Sequence, residues 1–224
     1  MKDRIAWIRL ITYLGNSIIL VTEIYRLILI YLRFIISIPS LFFILELIMH
    51  WALLGGFLSI ILGFHGLKKS DPVILNPKEY SFSLLNKIIY IGCFIVIILF
   101  IQVLLPPSSI IIGEFKTYFQ LLVNILWICY YLCICLWIIS FWSFSNKKEP
   151  KEIVNNRILV FHLCLGSLVV ILSILNFFWI LFSNNSLFNN DLAYISYIIV
   201  LVFFLVFQII FFYRATKFSF VIHG

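Results

Sequence analysis

The sequence predicts an all-α integral membrane protein, a single transmembrane domain over residues 1–224. The expected architecture is a bundle of six transmembrane helices with both termini on the inside. Three observations predict it. The chain is 64% hydrophobic and only 11% charged, whereas average soluble chains are roughly half apolar and about a quarter charged. Six apolar runs each approach or exceed the roughly 20 residues that a helix needs to cross a bilayer. The basic residues fall almost entirely in alternate connections between those runs, as orientation in a membrane requires.

The runs cover residues 10–33, 40–64, 84–105, 118–143, 157–183 and 192–213. The first connection, "SIPS", contains Pro39, a turn marker. "HGLKKSDPVILNPKEYS" carries Lys68, Lys69, Lys78, Pro72 and Pro77, and "LPPSSIIIGEFK" carries Pro106 and Pro107. "SNKKEPKEIVNNR" is the most polar connection, and "SNNSLFNND" has no Lys or Arg. With the N-terminus inside, the inner side takes every Lys and Arg except Lys116, which falls outside, and Arg26 and Arg33, which belong to the first helix. Trp137, Trp142 and Tyr213 fall near inner helix ends, and Trp179, Tyr194 and Tyr197 near outer ends, where amphipathic rings prefer to sit. Asn184-Asn185-Ser186 matches a glycosylation sequon, but the connection lies so close to the membrane that its use is not expected.

The first run is unusual. Arg9, Thr12, Asn16, Glu23, Arg26 and Arg33 fall on about a third of the helix circumference at roughly 100° per residue. One reading has this helix cross the membrane with the stripe turned into the bundle, where Glu23 and Arg26 pair one turn apart. The alternative is five spans plus an N-terminal interfacial amphipathic helix. The short "SIPS" turn suits a tight hairpin and favours the crossing helix.

The second run, "ELIMHWALLGGFLSIILGFHG", carries three further polar groups. Glu46 and His50 are four residues apart and share a face, so they can hydrogen-bond and exchange a proton. His65 lies fifteen residues beyond His50, about 22 Å along the axis, and so in the other leaflet. Gly55, Gly56 and Gly63 between them leave room for a helix or for a flat cofactor against the backbone. The fifth run adds His162 in the same leaflet as His65, so those two are candidate axial ligands of one b-type haem.

"HWALLGGFL" and "FHLCLGSLVVILSIL" resemble two of the histidine-bearing helices of the eukaryotic cytochrome b561 family, which also has six spans with both ends inside. The resemblance covers two helices of six. That family places one His on each of four successive helices and so holds two haems; the third and fourth runs here have none, and the nearest polar candidates there are Tyr90 and Gln120. The chain therefore departs from the pattern that defines the family, and two bis-histidine haems are excluded.

Elsewhere chemistry is sparse. The five cysteines lie inside or at the ends of apolar runs, and the Cys133/Cys135 pair points to different helix faces, so they read as packing residues. No phosphate-binding, zinc-protease or nucleophile-elbow motif occurs. The first basic residues lead into a run that contains Arg and Glu and no small-residue cleavage site, so no cleavable signal peptide is expected. Orientation accounts for the net charge of +7, and nucleic acid is not an expected partner. Ile, Phe, Tyr and Asn are abundant while Ala occurs four times, a composition that fits an AT-rich genome. The mitochondrial inner membrane, or the plasma membrane of an AT-rich organism, is the expected location.

These observations lead to a non-catalytic membrane subunit, with the lipid bilayer and other membrane subunits as partners, packing within a larger complex that is respiratory if the chain is organellar. A proton-coupled small-solute transporter using Glu46, His50, Glu23 and Arg26 is the alternative. A haem electron carrier through His65 and His162 is the third reading; no metal site and no other cofactor is expected.

Overall fold

The computed structural model describes residues 2–35, 39–70, 80–105, 115–148, 156–183 and 191–221. These form six helices and, among the described residues, no strand: α1 (Lys2–Ile35), α2 (Pro39–Ser70), α3 (Tyr80–Leu104), α4 (Phe115–Lys148), α5 (Asn156–Ser183) and α6 (Asp191–Val221). Pro39 opens α2 at a position where its missing N–H is no loss and its fixed φ suits the first turn. Each helix contains a stretch long and apolar enough to cross a membrane: Leu10–Leu32, Phe43–Gly66, Ser83–Leu104, Phe115–Ser143, Leu159–Ser183 and Ala193–Tyr213. Six such helices indicate an integral membrane protein. The prolines at 72, 77, 106 and 107, the Asn184 sequon, the first two residues of "SIPS" and the side chains of Arg9 and Arg33 lie outside the described residues.

Each helix packs against its neighbours in the chain, and α6 packs back on α1, so the six close a ring in chain order. Contacts between pairs such as Gly15 with Gly56 and Gly63 with Thr12 show α1 and α2 antiparallel. Asn124 of α4 with Ser173 of α5, and Cys135 with Gly166, do the same for the fourth and fifth helices. One end of the bundle thus carries the 36–38, 106–114 and 184–190 connections. The other carries residues 71–79 and 149–155 together with both ends of the chain.

The α1–α2 pair makes the most extensive contact in the ring. A Cβ built on Gly15 would stand 2.8 Å from the Gly56 carbonyl oxygen, and one on Gly56 would stand 2.6 Å from Ile19 Cγ1. Only the hydrogen side chain lets the two backbones come this near, the usual device where lipid tails give helices no hydrophobic reason to associate. Gly55, one residue away, faces open space.

The centre of the ring is filled with rings. Trp137 stacks on Phe212 at 5.5 Å and on Phe141 at 5.6 Å, and Phe57 meets Trp137 and Phe212 edge-on at 5.6 and 6.4 Å. Phe64 and Phe211 extend the cluster through Phe141. Edge-on and offset contacts of this kind add about 0.5–1.5 kcal/mol per pair beyond their buried area. These residues come from α2, α4 and α6, and all are buried. They occupy the half of the bundle nearer the chain ends.

The outside is apolar on every helix. On α1 the exposed face runs through Trp7, Leu10, Leu14, Ile18, Val21, Ile24, Ile28 and Tyr31, while Thr12, Asn16, Thr22, Glu23 and Arg26 are buried. A helix lying flat at an interface would turn its polar stripe to water. Here the stripe faces the ring interior, so α1 is a full sixth member of the bundle.

Candidate functional site

The strongest polar assembly lies midway along α1. Thr12, Asn16 and Thr22 face the interior, but Thr12 Oγ1 donates to Ile8 O at 2.9 Å, Asn16 Nδ2 to Thr12 O at 3.1 Å and Thr22 Oγ1 to Ile18 O at 2.7 Å. Each of the three therefore donates a bond to the backbone of its own helix. Glu23 and Arg26 do not. They are 0% and 6% exposed, and they reach across the ring.

Glu23 Oε1 accepts from Gln208 Nε2 of α6 at 3.0 Å and from the Tyr130 hydroxyl of α4 at 3.4 Å. Its other oxygen, Oε2, stands 3.8 Å from Arg26 Nη1, an ion pair that is close in charge but too long for a hydrogen bond. Arg26 has its own support. Nη2 donates to the Tyr131 hydroxyl at 2.7 Å, and the guanidinium carbon lies 4.8 Å from the centre of the Trp127 ring, 5.6 Å from Tyr131 and 6.0 Å from Tyr130. The three rings form an aromatic box, with Trp127 stacked on Tyr131 and edge-on to Tyr130. A desolvated cation over an aromatic face gains about 2 kcal/mol or more. The carboxylate and the guanidinium are thus each held by groups other than the partner charge.

The assembly continues toward the end bearing the 36–38, 106–114 and 184–190 connections. Tyr197 of α6 lies in the neighbourhood of Tyr131 and of Ser173 on α5. Asn124 Nδ2 of α4 donates to the main-chain oxygen of Ser173 at 2.8 Å. The result is a column of polar groups from Gln208 through Glu23, Arg26, Tyr131 and Tyr197 to Ser173. It crosses between α6, α1, α4, α6 and α5 in turn.

Glu23 and Arg26, paired from their spacing, are brought together as expected. Glu46 and His50 meet differently: His50 Nδ1 lies 2.7 Å from the main-chain oxygen of Glu46 rather than from its carboxylate. A carbonyl oxygen only accepts, so Nδ1 carries a proton and Nε2 is left as the imidazole's other ring nitrogen. The His50 ring also leans on Trp127, with centroids 5.7 Å apart, and Gln102 of α3 approaches it without reaching hydrogen-bond geometry. Trp127 therefore touches both expected pairs, Arg26 on one side and His50 on the other.

The two candidate haem ligands are not brought together. His65 is exposed on α2, and His162 is buried on α5, stacked on Phe204 at 4.6 Å with neither ring nitrogen hydrogen-bonded. α2 and α5 are not neighbours in the ring. Of the glycines read as room for a helix or a flat cofactor, Gly56 and Gly63 are covered by Ile19 and Thr12 of α1. No three His, Cys, Asp or Glu side chains gather in a metal-holding arrangement among the described residues.

Tyr130, Tyr131, Trp127 and Tyr197 were not singled out by the sequence as members of this site. Gln208 stands out there only as a polar letter in an apolar run. Comparison of the chain with protein-family models, with characterised proteins and with solved structures returns no match, so its reading rests on its own residues.

Proposed function

We propose that the chain is a non-catalytic integral membrane subunit, inserted with both ends on the inner side and packing against other membrane proteins in a larger complex. The observation that carries this reading is the division between interior and surface. The buried charged pair is enclosed by its own bundle, while every helix turns large apolar and aromatic side chains outward. Trp7, Tyr90, Phe94, Tyr118 and Phe182 are among them. Charges held inward fix helix rotation and leave the outer faces for lipid and for apolar helices of partners. Native purification followed by mass spectrometry tests this. Recovery with other membrane proteins at fixed stoichiometry supports the subunit, and a stable monomer active by itself overturns it.

A second reading, a proton-coupled carrier, is favoured by one observation: a carboxylate and a guanidinium at mid-bundle, each supported by neutral polar groups from several helices. Intramembrane ionisable groups of this kind mark ion or substrate pathways in many membrane proteins. The residues that support it are Glu23 and Arg26 more than Glu46 and His50. Solute or proton uptake by liposomes of the isolated chain, abolished in Glu23→Gln, is its test.

A further inference from the structure

We infer that Glu23 is a proton-binding site reached from one end of the bundle only, the end bearing the 36–38, 106–114 and 184–190 connections. The inference deepens the second reading, since it names the carboxylate and the side from which it is served.

The proton's seat follows from the hydrogen bonds. Oε1 is occupied by Gln208 and Tyr130, while Oε2 accepts none and has only the charge of Arg26 at 3.8 Å. In the step itself a hydrated proton leaves its water and forms an O–H bond at Oε2. The pair passes from neutral to a net charge of +1, now on Arg26 alone. That residual charge is the usual obstacle to protonating a buried ion pair. Here the guanidinium keeps its bond to Tyr131 and its place in the Trp127, Tyr130 and Tyr131 box whatever the state of Glu23. The looseness of the pair and the completeness of the box belong together: both charge states have a home.

The direction follows from what lies on each side. The groups that bear on Glu23 are Arg26 on its own helix, Tyr130 and Tyr131 on α4, Gln208 and Tyr197 on α6, and His50 on α2 beyond Trp127; α3 brings the neutral Gln102 near His50, and α5 brings Ser173 near Tyr197. All but Gln208 lead toward the same end of the bundle. There Glu46, His50, Asn124 and Tyr197 are only partly buried, and Tyr131, Tyr197 and Ser173 bring hydroxyls into one neighbourhood. Toward the other end the path meets Phe57, Trp137, Phe141, Phe211 and Phe212, whose stacked faces carry no proton-relaying group, and the buried imidazole on that side, His162, is stacked on Phe204 with neither ring nitrogen hydrogen-bonded into a chain toward Glu23. The polar residues of α1 on that side, Thr12 and Asn16, donate to their own backbone.

The experiment is infrared difference spectroscopy on the full chain in sealed, uniformly oriented liposomes, with Glu carboxyl carbons ¹³C-labelled and an acid pulse applied to one face at a time. An impermeant thiol reagent on Lys116→Cys identifies the faces. A protonated-carboxyl band is expected after a pulse on the Lys116 side, no band after a pulse on the opposite side, and loss of the band in Glu23→Gln. Trp137→Ala keeps the carboxylate and opens the aromatic cluster; in it the band should appear from both sides. A band seen in the unmodified chain from both sides, or from the side opposite Lys116, overturns the inference, as does the absence of any Glu23-dependent band. A band without solute uptake leaves the inference standing and removes the carrier.

Discussion

Gln208 donates to Glu23 across 3.0 Å although 185 residues separate them in the chain. This bond joins the first helix to the last of the six and helps close the ring. Gln208→Leu removes the donor and leaves Glu23 Oε1 with Tyr130 alone, which should lower stability by about 1–3 kcal/mol. Reversible unfolding in mixed detergent micelles measures it; a variant as stable as the parent would show the bond to be idle.

The ion pair makes a sharper test through a double-mutant cycle. Arg26→Gln strands a buried carboxylate, and removal of one partner of a buried pair costs about 3–5 kcal/mol. Adding Glu23→Gln to that variant removes the stranded charge and should recover a good part of the loss. Two penalties that simply add would mean that the 3.8 Å separation carries no coupling.

Two adjacent glycines should behave in opposite ways. Gly56→Ala sets a methyl group 2.6 Å from Ile19 Cγ1 and forces α1 away from α2, a change of the overpacking kind that costs about 1–3 kcal/mol. Gly55→Ala meets nothing within 4 Å and should be neutral, or stabilising by up to about 1 kcal/mol from helix propensity. The same unfolding assay compares them, and equal losses would refute the close contact.

Topology can be read with cysteine chemistry. In a background lacking the five native cysteines, Lys87→Cys and Lys116→Cys place thiols at two exposed positions at opposite ends of the bundle. An impermeant maleimide added to intact cells or organelles should label the residue-116 thiol and spare the one at 87. The reverse pattern would invert the protein in its membrane.

The helices were legible because hydropathy is a local property: each run in the sequence reappears as a helix that begins a little before it, and the polar stripe of α1 identifies Glu23 and Arg26 by spacing alone. Their partners were not legible. Tyr130, Tyr131 and Trp127 sit in "LWICYYLCICLW", where aromatic letters look like any other packing residue. Their role depends on which face of α4 turns inward, and helix rotation is set by tertiary contacts that no single run encodes. His50 illustrates the same limit. Spacing predicts that it meets residue 46, but not that the contact is to the main chain, which frees the ring to lean on Trp127.

A ring closed in chain order also has a history. Five of its six helix contacts form between consecutive segments, as each emerges beside the one before, and only the α1–α6 contact spans the whole sequence. During synthesis Glu23 and Arg26 enter the membrane long before Tyr130, Tyr131 and Gln208 exist to receive them. For that interval the charged stripe has only α2, drawn tight by Gly15 and Gly56, to shelter it. The nascent chain is therefore most exposed to error early, and a ribosome-bound fragment ending before α4 is the species that quality control, or a chaperoning partner in the membrane, would be expected to meet.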